Sequence, residues 1–184
     1  MEPRRYGPFP YTPINRRPKL IWPNGARVAV WIMPNIEVFA LNEPVPGGSG
    51  KVPDVPAWSL RDYGARVGIF RIMDTLTRRG IRGTVALNSE VCDAYPPIIE
   101  DALALKWEFM GHGQSNTRRL TDVPADAEKP LIHDALDRIA RATGRRPRGW
   151  LGSGMMETWN SLDYLSAEGL DYVCDWNNAD QPYL

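Results

Sequence analysis

The segment 107–116 places an imidazole directly after an apolar run, in a setting suited to acid–base or metal chemistry. His112 is one of two histidines in the chain and stands between Gly111 and Gly113, just past Met110. Parallel α/β sheets hold their sites at this position, the carboxyl end of a strand. An isolated histidine of this kind is otherwise a turn residue bonded to backbone groups. The flanking glycines and the rest of the chain favour the functional interpretation.

Other polar side chains follow other apolar runs in the same way. Glu37 comes soon after the run 27–33, Asn88 follows the run 83–87, and Asp175 follows the run 171–174. Because parallel strands end at one edge of their sheet, we expect these side chains on one rim. The predicted catalytic residues are Glu37, His112 and Asp175. The predicted substrate contacts are Asn35, Asn88, Asn116, Trp150 and Trp176.

Glu37, His112 and Asn116 form a possible oxygen–nitrogen–oxygen ligand set. Zinc accepts carboxylate and imidazole readily, whereas an amide oxygen is a weaker ligand, so the expected cofactor is none or a weakly bound divalent metal. A bound ion would polarise a scissile carbonyl and acidify a water. Without it, Glu37 is a candidate general base and His112 a donor to the carbonyl or oxyanion. A hydrogen-bonded rim with no metal remains the third alternative.

Composition excludes several classes of function. The chain has 184 residues and 43% hydrophobic residues, which is typical of one globular domain, and 22 basic side chains balance 22 acidic ones. That balance predicts no nucleic-acid partner and no membrane partner. Two cysteines without CxxC spacing, no export signal and no apolar run near ~18 residues predict a reduced, cytoplasmic protein.

Apolar runs and helical spacings alternate along the chain. A Pro-rich arm is predicted over 1–24 and one domain over 25–184, with a long irregular loop over 42–58. Predicted strands cover 27–33, 83–87, the run before His112, 149–151 and 171–174. Predicted helices cover 63–79, 96–105, 130–143 and a segment ending at Gly169. Five strands alternating with helices predict a parallel sheet, either open or part of a longer barrel.

Separated segments together resemble the polysaccharide deacetylase superfamily, of the carbohydrate esterase family 4 type. They are the strand and Asn-x-Glu of 30–37, the Gly-His-Gly-Gln-Ser-Asn of 111–116, the Arg-Pro-Arg-Gly-Trp of 146–150, and 172–176 with 180–183. The allantoinase-like and cyclic imidase-like branch is the most similar. The resemblance implies a distorted (β/α) barrel, incomplete at the C-terminus, with the Arg/Pro-rich motif lining the site.

Two departures from that family pattern concern the metal. Asn116 stands where the family has its second metal-binding histidine, and Glu37 stands where it has the metal-binding aspartate. A further family histidine would lie on a later strand, beyond Leu184. We therefore expect either a fragment of a longer chain or a homo-oligomer that covers the open sheet edge.

The resemblance implies a hydrolase of non-peptide carbon–nitrogen bonds. The expected substrate is a small cyclic amide, imide or ureide, or an N-acetyl group on a sugar. The alternative is a catalytically degenerate or truncated member that binds a ligand or a partner without chemistry.

Overall fold

The computed structural model describes residues 5–182, which contain a five-stranded sheet whose strands are all parallel. The strands are β1 Asn35–Ile36, β2 Thr84–Leu87, β3 Glu108–Gly111, β4 Gly149–Trp150 and β5 Tyr172–Val173. Their order in the sheet is their order in the chain. Sequential parallel neighbours need a crossover between each pair, and helices supply it. The predicted α/β fold with a parallel sheet is confirmed.

Helices occupy the connections between the strands. They are α1 Val55–Tyr63, α2 Ile69–Arg78, α3 Val91–Ala94, α4 Pro96–Ala104, α5 Ala125–Thr143 and α6 Ser161–Ala167, with a π-helical segment Gly64–Gly68 joining α1 to α2. Asp54 caps α1 by accepting a hydrogen bond from Ala57 N. Left-handed glycines follow α2 and α5, at Gly80 and Gly144.

The two faces of the sheet pack differently. Val85, Leu87 and Phe109 belong to the main core cluster against the helices, whereas Ala86 and Met110 point to the opposite face. Because successive strand residues alternate between faces, the residue after each helix-facing strand end points to that opposite face. Glu37 after Ile36, Asn88 after Leu87 and His112 after Gly111 are placed in this way.

The opposite face is concave. The ring of Trp31, which precedes β1, lies 5.8 Å from the ring of Tyr172 in β5, with an interplanar angle of 75°. These aromatic residues come from the two edges of the sheet, so the sheet curls far enough for its edges to touch across one face. Curling of this kind is expected of a barrel wall.

The prediction of a fully buried strand over 27–33 is wrong. The strand is Asn35–Ile36, and Val28 and Val30 are 72% and 76% exposed. In the observed register Asn35 pairs with Ala86, two residues after the start of β2 at Thr84. Residues 27–31 therefore lie beyond the start of β2 and have no part of that strand beside them to pair with. Hydrogen bonding to β2 begins where Thr84 N donates to Ile32 O.

Three other predicted boundaries are corrected. The predicted loop 42–58 ends earlier, because α1 begins at Val55, and the predicted helix 63–79 is the second half of the α1–α2 pair. The helix predicted over 130–143 begins at Ala125, with Pro130 inside it. The predicted start at Pro130 is wrong, because Pro124 occupies the N-cap and the helix continues through Pro130.

The N-terminal arm lies beside the segment after β5. Its regular structure, within residues 5–24, consists of 3₁₀ turns at Ile14–Arg16 and the start of Pro23–Gly25. Phe9 packs edge-on against Trp176, with ring centroids 5.3 Å apart. Residues 1–4 and the motif residue Tyr183 lie outside the described residues. Among residues 5–182, no helix combines the length and apolar character needed to cross a bilayer.

Replacement of Gly111 by alanine should destabilise the fold. A Cβ at Gly111 would lie 2.6 Å from Trp150 Cε3, and Trp150 is fully buried and unable to move aside. We expect Gly111→Ala to lower the free energy of unfolding by about 1–3 kcal/mol, the usual cost of overpacking. Denaturant unfolding measures this change.

Gly64→Ala is the matched control. Gly64 has helical dihedrals and nothing within 4 Å of an added Cβ. Alanine there should leave stability unchanged or raise it by up to about 1 kcal/mol. Equal stability losses in the two variants would contradict the packing argument.

Candidate active site

The candidate site is built on the carboxyl ends of the parallel strands. Glu37 follows β1, Asn88 follows β2 and His112 follows β3 directly, and Asp175 follows β5 with Cys174 between them. The first three residues meet on the concave side of the sheet, as the sequence predicted. Their backbone is tied into the sheet, since Asn88 N donates to Ile36 O and His112 N donates to Leu87 O.

His112 is buried, with 2% of its surface exposed, and both of its ring nitrogens face acceptors. Nδ1 lies 2.5 Å from the Leu151 carbonyl oxygen, and Nε2 lies 3.1 Å from Glu37 Oε1. The next residue, Gly113, has φ +72°, and an added Cβ would meet Ser153 Oγ at 2.9 Å. Glycine therefore lets the chain turn sharply beside the imidazole.

The hydrogen-bond partners define the proton positions on His112. A carbonyl oxygen only accepts, so Nδ1 carries a proton. Burial alone would raise the pKa of Glu37, but hydrogen bonds from His112 and Asn116 and the charges of His112 and Arg61 hold that pKa below its ordinary value of 4.5. Glu37 is therefore an ionised acceptor, and Nε2 donates to it. The arrangement is that of an imidazole–carboxylate pair.

Asn88 is a structural clamp beside this pair. Its Oδ1 accepts from Val38 N at 3.0 Å, and its Nδ2 donates to the His112 carbonyl and to Asn116 Oδ1. Ser153 Oγ also donates to the His112 carbonyl, at 2.7 Å. Asn88 is fully buried, so it offers no surface to a substrate, contrary to the sequence-based prediction.

The predicted ligand set Glu37, His112 and Asn116 does come together, but its atoms are paired with one another. Glu37 accepts hydrogen bonds from both His112 and Asn116, and the Asn116 oxygen accepts from Asn88. Within residues 5–182, no group of three or more His, Cys, Asp or Glu side chains is arranged to hold a metal. The set does not fit a tetrahedral zinc site, which needs three or four unpaired donors.

A cavity of about 220 Å³ lies beside the Glu37 carboxylate, whose side chain is 28% exposed. Asn35, Phe39 and Arg61 also line it. The Arg61 guanidinium donates to the Ala57 and Pro46 carbonyls and stacks 4.9 Å over the Phe39 ring. The cavity therefore combines a carboxylate with a fixed positive charge. Sequence analysis missed Arg61 because nothing in the pattern of α1 indicates which turn faces Glu37.

A second carboxylate pair lies near β5. Asp175 Oδ1 accepts from Gly152 N at 2.7 Å, and its carboxyl group lies against that of Glu157. Trp176 Nε1 donates to Glu157 Oε2 at 3.0 Å. Burial, then the hydrogen bond to Asp175 and its charge, raise the pKa of Glu157 to about 8, and burial also raises the pKa of Asp175. Glu157 therefore holds a proton at neutral pH.

Asp175 and Trp176 were predicted to belong to the site, and they line a separate cavity of about 460 Å³ with Glu157. Glu157 itself was missed, because it follows the 3₁₀ turn Ser153–Met155 and no strand pattern points to it. Whether Asp175, Trp176, Asn35 and Asn116 contact a substrate stays a prediction.

Trp150 and the Arg/Pro-rich motif lie away from the rim. Trp150 is completely buried against Leu136 and Leu165, so it offers no surface to a substrate, contrary to the prediction. Arg146 pairs with Asp137 and Glu168, and Arg148 pairs with Asp171. Both arginines precede β4 and therefore lie at the amino edge of the sheet, so the site-lining position implied by the resemblance is wrong.

Comparison by sequence gives no assignment, since no protein-family model and no curated protein matches the chain. Solved structures do match. A protein assigned as a polysaccharide deacetylase from Pseudomonas aeruginosa PAO1 has a TM-score of 0.78 at 23% identity, with 92% of this chain and 61% of that chain covered. One from Mycobacterium smegmatis has a TM-score of 0.74 at 20% identity, with 89% and 56% covered.

The structure of Puue Allantoinase matches equally well, with a TM-score of 0.75 at 23% identity over 88% of this chain and 58% of that one. This chain thus spans between 56% and 61% of the length of the three proteins. At these identities the match establishes the fold. The described residues have the (β/α) fold of the polysaccharide deacetylases and of Puue Allantoinase.

Proposed function

We propose that the protein is a hydrolase of non-peptide carbon–nitrogen bonds that acts through Glu37. The observation that supports this is the partly exposed Glu37 carboxylate, which is ionised and is held by the buried imidazole of His112. A carboxylate fixed at the mouth of a cavity is suited to take a proton from water. Both His112 nitrogens are occupied, so His112 acts by positioning Glu37.

The proposed substrate is a small cyclic amide, imide or ureide, with an N-acetyl group on a sugar as the second substrate class. The fold is shared with Puue Allantoinase and with proteins assigned as deacetylases, and both names describe cleavage of a carbon–nitrogen bond. A cavity of about 220 Å³ suits one small ring. The formal net charge of the chain is zero, so the protein has no overall electrostatic attraction for an anionic polymer.

In the proposed reaction Glu37 acts first as general base and then as general acid. Glu37 takes a proton from water as the oxygen attacks the substrate carbonyl, and a C–O bond forms. The carbonyl oxygen becomes negative, and the Arg61 charge at the same cavity stabilises it. Glu37 then gives its proton to the leaving nitrogen as the C–N bond breaks. The products are a carboxylic acid and the released nitrogen group, which is an amine from an amide or N-acetyl group, an amide from an imide and a urea from a ureide, and Glu37 is ionised again.

The alternative is a protein that binds such a ligand without turnover. The observation that favours it is that the site contains a single imidazole. The other histidine, His133, lies on α5 and is hydrogen-bonded to Glu168. A screen of cyclic imides, hydantoins, allantoin and chitooligomers distinguishes the two. Turnover supports the hydrolase, whereas saturable binding without product supports the alternative.

Glu37→Gln should abolish most hydrolysis, because an amide cannot accept the proton from water. We expect kcat/KM on the best substrate of the screen to fall by about 10²–10⁴-fold, the usual contribution of a general base. Glu100→Gln, an exposed carboxylate on α4, is the control and should keep the wild-type rate. Unchanged activity in Glu37→Gln would refute the proposed role.

The pH profile should identify the base. Glu37 must be ionised to act, and its pKa lies below 4.5, so kcat/KM should stay level as pH falls and decline only below about 4.5. A decline centred near pH 6.5, the ordinary value for histidine, would instead assign the base to a neutral imidazole. Steady-state rates in buffers of constant ionic strength, on protein shown to remain folded, make this measurement.

Divalent-metal binding, with zinc as the candidate ion, is expected to be weak because Asn116 supplies only an amide beside Glu37 and His112. Asn116→His would add an imidazole at this point, and we expect zinc affinity to rise by at least about tenfold. Competition with a fluorescent zinc chelator measures the affinity. Asn42→His, on an exposed loop, should leave it unchanged. Stoichiometric zinc that survives chelator dialysis of the wild-type protein would contradict the prediction.

A further inference from the structure

One peptide unit lies between the two acid–base groups of the molecule. The carbonyl of the Leu151–Gly152 peptide accepts from His112 Nδ1 at 2.5 Å, and the N–H of the same peptide donates to Asp175 Oδ1 at 2.7 Å. The C=O and N–H of a peptide are coupled by resonance, so hydrogen bonds at the two ends strengthen each other. Asp175 therefore acts on the imidazole without touching it.

Asp175 is in turn held by Glu157. Glu157 Oε1 and Asp175 Oδ2 are both buried, and neither accepts a hydrogen bond from a donor group among the described residues. The two carboxyl groups face each other. Two carboxyl oxygens can lie side by side in a buried place only when one of them carries a proton. Trp176 Nε1 occupies the remaining oxygen of Glu157. The proton between the two carboxyl groups therefore fixes the position of Asp175.

We propose that Glu157 is a positioning residue for His112, acting through Asp175 and the Leu151–Gly152 peptide. The shared proton keeps Asp175 on Gly152 N–H, and this contact keeps the Leu151 carbonyl on the imidazole. The other ring nitrogen then stays on Glu37. The coupling is a property of the folded chain, whereas its effect on hydrolysis rests on the proposed function.

Loss of the shared proton should loosen this arrangement at alkaline pH. The groups that face Glu157 are Asp175, the Trp176 N–H and, from α5, the Glu128 carboxylate, while His112 faces Asp175 electrostatically. Glu157 has its pKa raised to about 8, so the pair ionises fully above that pH. Two adjacent carboxylates repel each other, and Asp175 loses its support under Gly152 N–H.

NMR of the imidazole nitrogens tests the coupling without a substrate. The chain has two histidines, so ¹⁵N-histidine labelling in a His133→Gln background leaves the signals of His112 alone. His133 is on the surface and contacts Asp137 and Glu168. We expect the His112 Nδ1–H resonance to shift in a transition near pH 8. The glutamine of Glu157→Gln still donates to Asp175 but does not titrate, so that transition should be lost.

Asp171→Asn is the matched control. Asp171 is a carboxylate just before β5 that pairs with Arg148 and has no contact with Glu157, so its variant should keep the transition. If Glu157→Gln fails to fold, Asp175→Asn replaces it. That variant keeps an acceptor for Gly152 N–H, but ionisation of Glu157 no longer creates two adjacent carboxylates, so the transition should be lost there as well.

The proposal is overturned if His112 shows no transition near pH 8 in the wild type, or if Glu157→Gln keeps it, because the imidazole would then not respond to Glu157. Loss of the transition in Asp171→Asn would also overturn it. The outcome is independent of turnover. A transition in a protein without hydrolase activity would leave the coupling standing and remove the proposed function, and an active enzyme without the transition would do the reverse.

Discussion

Burial of the His112 imidazole between two hydrogen-bond acceptors is the constraint on which the rest of the site depends. A buried ring with one unpaired nitrogen would lose the hydration of that nitrogen without compensation. The fold removes this cost by placing the Leu151 carbonyl on one side and Glu37 on the other. The requirement fixes the end of β4 and the residue after β1 relative to β3.

The surroundings of Glu37 and Glu157 shift the pKa values of these two glutamates in opposite directions. Glu37 is surrounded by hydrogen-bond donors and by the charges of His112 and Arg61, which outweigh its burial, whereas Glu157 is buried against Asp175. One carboxyl group is thus ionised and the other protonated over the neutral range. Pairs of acids separated in this way by their surroundings are typical of sites that move protons. The Leu151–Gly152 peptide joins the two surroundings.

The sequence predicted correctly those elements that are determined by residues adjacent to one another in the chain. The run 83–87 is a strand because apolar residues lie between turn residues, and His112 was found because glycines flank it. The apolar run at Val28 and Val30 failed, since strand pairing there is decided by the register with Ala86, which no local pattern specifies. Trp150 was placed on the rim by chain position, but Gly111 opposite it makes room for the ring inside the core.

The proposed function depends on the size of the cavity beside Glu37. Glu37 and Arg61 line the same cavity of about 220 Å³, and the Arg61 guanidinium is fixed by two backbone carbonyls and the Phe39 ring. A flat ring with a carbonyl beside an N–H can present the carbonyl to the positive charge and the carbonyl carbon to water at Glu37. A sugar polymer would have to enter the same space with its ring as well as its N-acetyl group. Within the proposed function, this volume is the reason for placing the cyclic amide, imide or ureide before the N-acetyl sugar, since both proposed classes would undergo the same chemistry.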